Sequence, residues 1–123
     1  MSLLFDTNIF IDYLRNHRDA IQLLEEQTER PSISVASIIE LFAGAKNRQE
    51  EQRIERLIGQ TKPLPVTAEI GRRAGALVRV YSASHSVEPM DAIIAATAEH
   101  HGLRLATLNV KHFPMFPKLR RAY

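Results

Sequence analysis

Three of the fourteen acidic residues in this chain sit where a solvated carboxylate has no obvious place. Asp6 interrupts the apolar opening "LLFDTNIFIDYL" (residues 3–14) directly after Leu3, Leu4 and Phe5. Glu40 is flanked by Ile38, Ile39, Leu41 and Phe42, and Asp91 opens the apolar stretch "DAIIAATA" just after Pro89. By contrast, Glu25, Glu26, Glu29, Glu50, Glu51 and Glu55 lie in ordinary amphipathic surroundings. Each of the three has a plain reading on its own. Asp6 and Asp91 suit helix N-caps, and Glu40 suits an exposed position on an otherwise buried helix. Taken together they suggest chemistry. A lone buried carboxylate costs several kcal/mol unless it is paired or binds a cation. Gathered carboxylates raise one another's pKa unless a cation sits between them. Oxygen ligands without His or Cys favour Mg²⁺ or Mn²⁺ over zinc.

For acids so far apart in sequence to meet, the elements carrying them must share an edge. Residues 2–5 read as a short buried strand, followed by helices over Asn8–Leu14 and Asp19–Thr28, the second ended by Pro31. "SISV" (32–35) reads as the next strand and "ASIIELFAGA" (36–45) as a helix apolar nearly all round. A charged helix over 48–60 carries a thin stripe of Ile54, Leu57 and Ile58. "KPLPV" (62–66) reads as an edge strand, since its prolines lack donors. A long helix fills 67–83, and a further one begins in "MDAIIAATAEHHG" and stops at Gly102. "LRLATLN" (103–109) is the last strand. Strands alternating with helices imply an α/β fold with a parallel sheet and right-handed crossovers. In such a sheet the carboxyl ends of strands and the amino ends of the following helices lie along one edge, where sites form. Asp6, Glu40 and Asp91 all fall there. Asn109 joins them as a neutral oxygen donor or a turn residue. Thr7 and Asn8 either cap the first helix or hold Asp6 in place, and Thr107 either contacts the site or packs within its strand.

Composition frames this reading. A chain of 123 residues, 45% hydrophobic and 24% charged, with no repeat or linker, is expected to form a single domain over 1–123. It has no apolar run long enough for a bilayer and no signal-peptide pattern at its N-terminus. The absence of cysteine rules out disulfides and thiolate metal sites and fits a reducing cytoplasm. The net charge of +2 is small, but residues 100–123 carry Arg104, Lys111, Lys118, Arg120 and Arg121 and no acid. Such a tail is either a solvated end or a surface for a polyanion. His100 and His101 suit a helix C-terminus, and His17 and His85 fall in turns. His112, close to Asn109, is the histidine best placed for a role. No Gly-rich phosphate loop, GxSxG elbow or HExxH occurs. A phospho-acceptor domain would want an acid at position 8, where this chain has Asn8, and a paired Lys after a late strand, where Lys111 is poorly placed.

The segments "LLFDTNIFIDYL", "ISVASIIELFAGA" and "PMDAIIAATAEHHGLRLATLNVKHF" resemble, in order and spacing, the PIN-domain ribonucleases, and among these the VapC-type toxins of toxin–antitoxin modules. The likeness runs from Ser2 to about Phe113. It implies a three-layer sandwich with a central parallel sheet of four to five strands flanked by helices. It also implies that Asp6, Glu40 and Asp91 are metal ligands, with Asn109 in a fourth position. Where many relatives carry a further Asp before the Phe, this chain has His112, leaving fewer negative ligands for a second cation. Three ionised carboxylates carry a formal charge of −3, so two divalent cations, and not one, give a centre that attracts a phosphodiester. Cations orienting water and offsetting charge on the leaving oxygen need no side-chain nucleophile. The expected activity is hydrolysis of RNA to 5′-phosphate and 3′-hydroxyl ends. The expected partners are RNA, a VapB-type antitoxin and a second copy in a homodimer, with a heterotetramer or larger assembly alongside the antitoxin. Ile54, Leu57 and Ile58, or the helix over 67–83, are candidate dimer contacts. A PIN fold that binds RNA or protein without cutting is the alternative.

Overall fold

The computed structural model describes residues 2–123 and arranges them as four short strands and six helices. In chain order these are β1 (Leu3–Phe5), α1 (Thr7–Leu14), α2 (Arg18–Glu25), β2 (Ser32–Ser34), α3 (Val35–Ala43), α4 (Arg48–Ile58), β3 (Lys62–Leu64), α5 (Ala68–His85), α6 (Pro89–His101) and β4 (Arg104–Ala106), followed by a 3₁₀ turn at Val110–His112. All strand pairs are parallel, in the order β3-β2-β1-β4. The expected parallel α/β sheet therefore has four strands.

The sheet is buried on both faces, which is why its strands read as continuous apolar runs instead of alternating ones. Successive side chains of β1 go to opposite layers. Leu4 packs into a core with Ile70, Leu77 and Ile94 from α5 and α6, while Phe5 packs with Ile9, Phe10, Ile33 and Leu57 on the other side. These two apolar layers form the three-layer sandwich. Ile54 and Leu57 are buried in the second layer and Ile58 is half-buried against it, so the α4 stripe faces the core. On α5, Val80 is 64% exposed.

Several boundaries differ from the sequence reading. The second helix stops at Glu25, well before Pro31, and Val35 begins α3 instead of ending β2. There the Ser34 hydroxyl accepts from the Ala36 amide and turns the chain into the helix early. The last strand ends at Ala106, because Thr107 and Asn109 turn the chain outward at the sheet edge. Pro63 does lie in an edge strand, β3, paired with Ile33 of β2. Gly102 ends α6 at φ +63°, as the sequence predicts.

The direction of winding across the sheet reverses at β1. The first three strands build outward to β3, and β4 then returns to the far side of β1. The carboxyl ends of β1 and β4 thus flank a topological switch point, the place where open α/β sheets form crevices.

Candidate active site at the sheet edge

Asp6 is the first residue beyond β1 and the N-cap of α1, and it is only 5% exposed. Its amide donates to the Ala106 carbonyl at 2.9 Å, tying the two strand ends together. Each carboxylate oxygen accepts one hydrogen bond. The Thr7 amide donates to Oδ1 at 2.8 Å, and the Thr107 hydroxyl, fully buried just past β4, donates to Oδ2 at 2.7 Å. Burial pushes the Asp6 carboxyl above its usual value, and the nearby charges of Asp91 and Glu40 push it further the same way; the Thr107 and Thr7 hydrogen bonds oppose them. Asp91 and Glu40 thus both lie near enough for their charges to reach Asp6.

Glu40 departs from expectation in its burial. It is exposed, on a face of α3 that also leaves Ile39 52% exposed, so the helix is not apolar on every side. The Thr7 hydroxyl donates to its Oε1 at 2.6 Å. Since that uses Thr7's only hydroxyl proton, the Ser37 hydroxyl 2.8 Å away must be donating to Thr7. Ser37, completely buried, was not among the residues singled out from sequence. The available signal was its position three residues before Glu40, one helical turn away on the same face.

Asp91 is not the N-cap of its helix. Pro89 takes the first helical position and Glu88 the cap, which places Asp91 at the third, where its Oδ2 accepts from the Glu88 amide at 3.4 Å. Its carboxyl is also raised, mainly by burial and to a lesser degree by the Glu88 charge, against the opposing Glu88 amide and His112. His112 Nδ1 lies 3.4 Å from Asp91 Oδ2, so the one histidine worth watching does face the site. The Glu88 amide and charge were missed, although the spacing E-x-x-D before an apolar helix is a capping signal.

The remaining candidates divide. The Thr107 hydroxyl holds Asp6 and accepts from the Asn109 amide at 3.0 Å. Asn109 itself is exposed, and its side chain bonds to none of the three acids. Asn8 is half-buried in α1 and donates to neither Asp6 nor Glu40. Among the described residues, no three His, Cys, Asp or Glu side chains converge closely enough to cage an ion. The donors fit a hard cation nonetheless. They are all oxygens, Asp6 keeps a free lone pair on each, and the charges of Asp91 and Glu40 add to the burial that raises Asp6. Mg²⁺ commonly binds through one or two carboxylates and completes its shell with water and phosphate oxygen.

A parallel α/β domain that places Asp6, Glu40 and Asp91 along its switch-point edge is the class that the fold and site define. The PIN domain family model matches residues 3–117, and the chain belongs to that family. It is 40% identical over 121 residues to Ribonuclease VapC10 of Mycobacterium tuberculosis, covering 96% of this chain and 90% of the relative. Its fold superposes on a toxin–antitoxin complex from Klebsiella pneumoniae with TM-score 0.84 and 34% identity, covering 100% and 98% of the two chains. A DNA-bound VapBC from Salmonella typhimurium follows at TM-score 0.80 and 26% identity, covering 98% and 96%. No helix among the described residues is long and apolar enough to cross a membrane.

Proposed function

We propose that this protein is an endoribonuclease, the VapC-type toxin of a toxin–antitoxin module, and that its cleavage depends on Mg²⁺ or Mn²⁺ held at the acidic edge. The observation that carries the reading is Asp6. It is a buried carboxylate, fixed on both oxygens, in the field of two further acids at the switch point of a fold shared with ribonuclease relatives. Asp6, Asp91 and Glu40 would hold the metal, with Asn109 beside them. An ion bound there would supply Lewis acidity, lowering the pKa of water so that it gives up a proton and attacks as hydroxide, and would offset charge on the departing oxygen.

The chain's own residues supply position. Thr107 and Thr7 orient Asp6, and Ser37 fixes Thr7 so that it also holds Glu40. His112 partly offsets the burial of Asp91. Water attacks phosphorus, the bond to the 3′-oxygen breaks, and the ends left are 5′-phosphate and 3′-hydroxyl. No side chain is covalently modified. The reading includes action in the cytoplasm, a VapB-type antitoxin that covers the acidic edge, and a homodimer for which exposed Val80 on α5 offers apolar surface.

The test is incubation of purified, antitoxin-free protein with total RNA in Mg²⁺, Mn²⁺ or chelator, beside Asp91→Asn. Metal-dependent cleavage is expected, falling about a hundredfold or more in the variant as a charge aimed at the reacting centre is lost. Intact RNA in every condition, from folded protein, would favour a PIN fold that binds without cutting.

A further inference from the structure

The geometry points to the groove along the open side of β4 as the place where an unpaired stretch of the RNA lies, an inference that rests on the ribonuclease reading and extends it to the substrate's path. The strand β4 pairs only with β1, so its other side is open. The chain beyond Thr107 loops away and returns, and the Ala122 amide donates to the Thr107 carbonyl at 2.9 Å, closing the loop at its neck. Between strand and loop lies a groove of about 790 Å³, well within the range of ligand sites. Leu105 and Phe116 contribute apolar surface to it, and Arg104, Lys118, Arg120 and Arg121 contribute charge.

No Asp or Glu lines the groove. Apolar surface flanked by cations suits a single strand, whose bases stack or pack while its phosphates meet the charges. The neck residue links this lining to the acidic edge, which favours RNA over other acidic occupants. Thr107 holds Asp6 with its hydroxyl and accepts the Ala122 amide with its carbonyl, so one residue joins the acidic edge to the loop that walls the groove. The basic segment noted in the sequence thereby becomes one wall of a track and not a loose end.

The experiment compares Arg120→Gln/Arg121→Gln with a control of equal charge change on other surfaces, Arg48→Gln/Arg72→Gln. Binding of a labelled short oligouridylate is followed in chelator, across salt concentrations, with melting temperatures checked to match. The groove double is expected to weaken binding about tenfold and to reduce the slope of log K against log salt by about 1.4, the value for two lost single-strand phosphate contacts. The control should move the affinity less than about twofold. With metal and RNA substrate, the groove double should raise KM and leave kcat unchanged.

Equal weakening by both doubles, or none by the groove double, would overturn the proposal. So would tighter binding of an alternating Glu/Leu peptide than of the RNA, lost in the same double, which would give the groove to an acidic protein segment. A parent protein that binds RNA as described yet cuts none would keep the groove and sink the nuclease reading. Cleavage with an unaltered KM in the groove double would do the reverse.

Discussion

At the scale of single residues, the Thr107 hydroxyl has one proton to give, and it gives it to Asp6. That bond opposes the burial and the like charges that raise the Asp6 carboxyl. Removing it with Thr107→Val therefore raises the carboxyl further. Since metal binding and cleavage need Asp6 ionised, the acidic limb of the pH–activity profile should move to higher pH, with activity down roughly 10–100-fold below neutrality. Thr107→Ser restores the donor and should restore the limb. A valine variant that loses activity equally at every pH would instead point to misplacement of the strand end. Ser37 acts one step further out, through Thr7, and touches no acid itself.

At the scale of elements, the layers were legible in the sequence and their ends were not. Apolar periodicity marks both the parallel sheet and the helices, and the order of Asp6, Glu40 and Asp91 along that alternation was enough to put all three at one edge. Boundaries depended on single hydrogen bonds that a pattern does not show, such as Ser34 starting α3 and Glu88 starting α6. Glu40 was misjudged in burial because its neighbours are apolar, whereas burial depends on which face the packed sheet leaves open. Asp6 was judged correctly because a residue that follows a central strand and caps the next helix has no outward face. Gly102 shows how much one legible residue holds. It ends α6 in the left-handed conformation with nothing within 4 Å of an added Cβ, so a substitution there meets backbone strain and no clash. Gly102→Ala should cost about 1–2 kcal/mol, lowering the melting temperature by roughly 3–8 °C for a domain of this size. An unchanged melting temperature would mean that the α6–β4 junction relaxes without cost, and a far larger fall would mean that β4 and Thr107 detach with it.

At the scale of the whole molecule, the acidic edge is an element of instability that a cation should remove. Asp6 and Asp91 both have folded-state values above the ordinary 3.8. Between that value and the raised one, the folded protein binds more protons than the unfolded chain, so stability falls as pH rises through the window and stays lower at neutrality. The stabilising contribution of these two groups is thus complete only at acid pH, below 3.8. Two outcomes follow for thermal unfolding at neutral pH. Mn²⁺ at a hundredfold excess over its Kd should add about 2.7 kcal/mol, seen as a rise of roughly 10 °C. Without metal, Asp91→Asn should melt above the parent, because an amide oxygen can still accept from the Glu88 amide while the charge facing Asp6 is gone. The same variant should respond only weakly to Mn²⁺, exchanging function for stability as site residues often do. A variant that melts lower without metal, or gains as much from Mn²⁺ as the parent, would mean that the three acids do not share one ion and that the cation binds elsewhere.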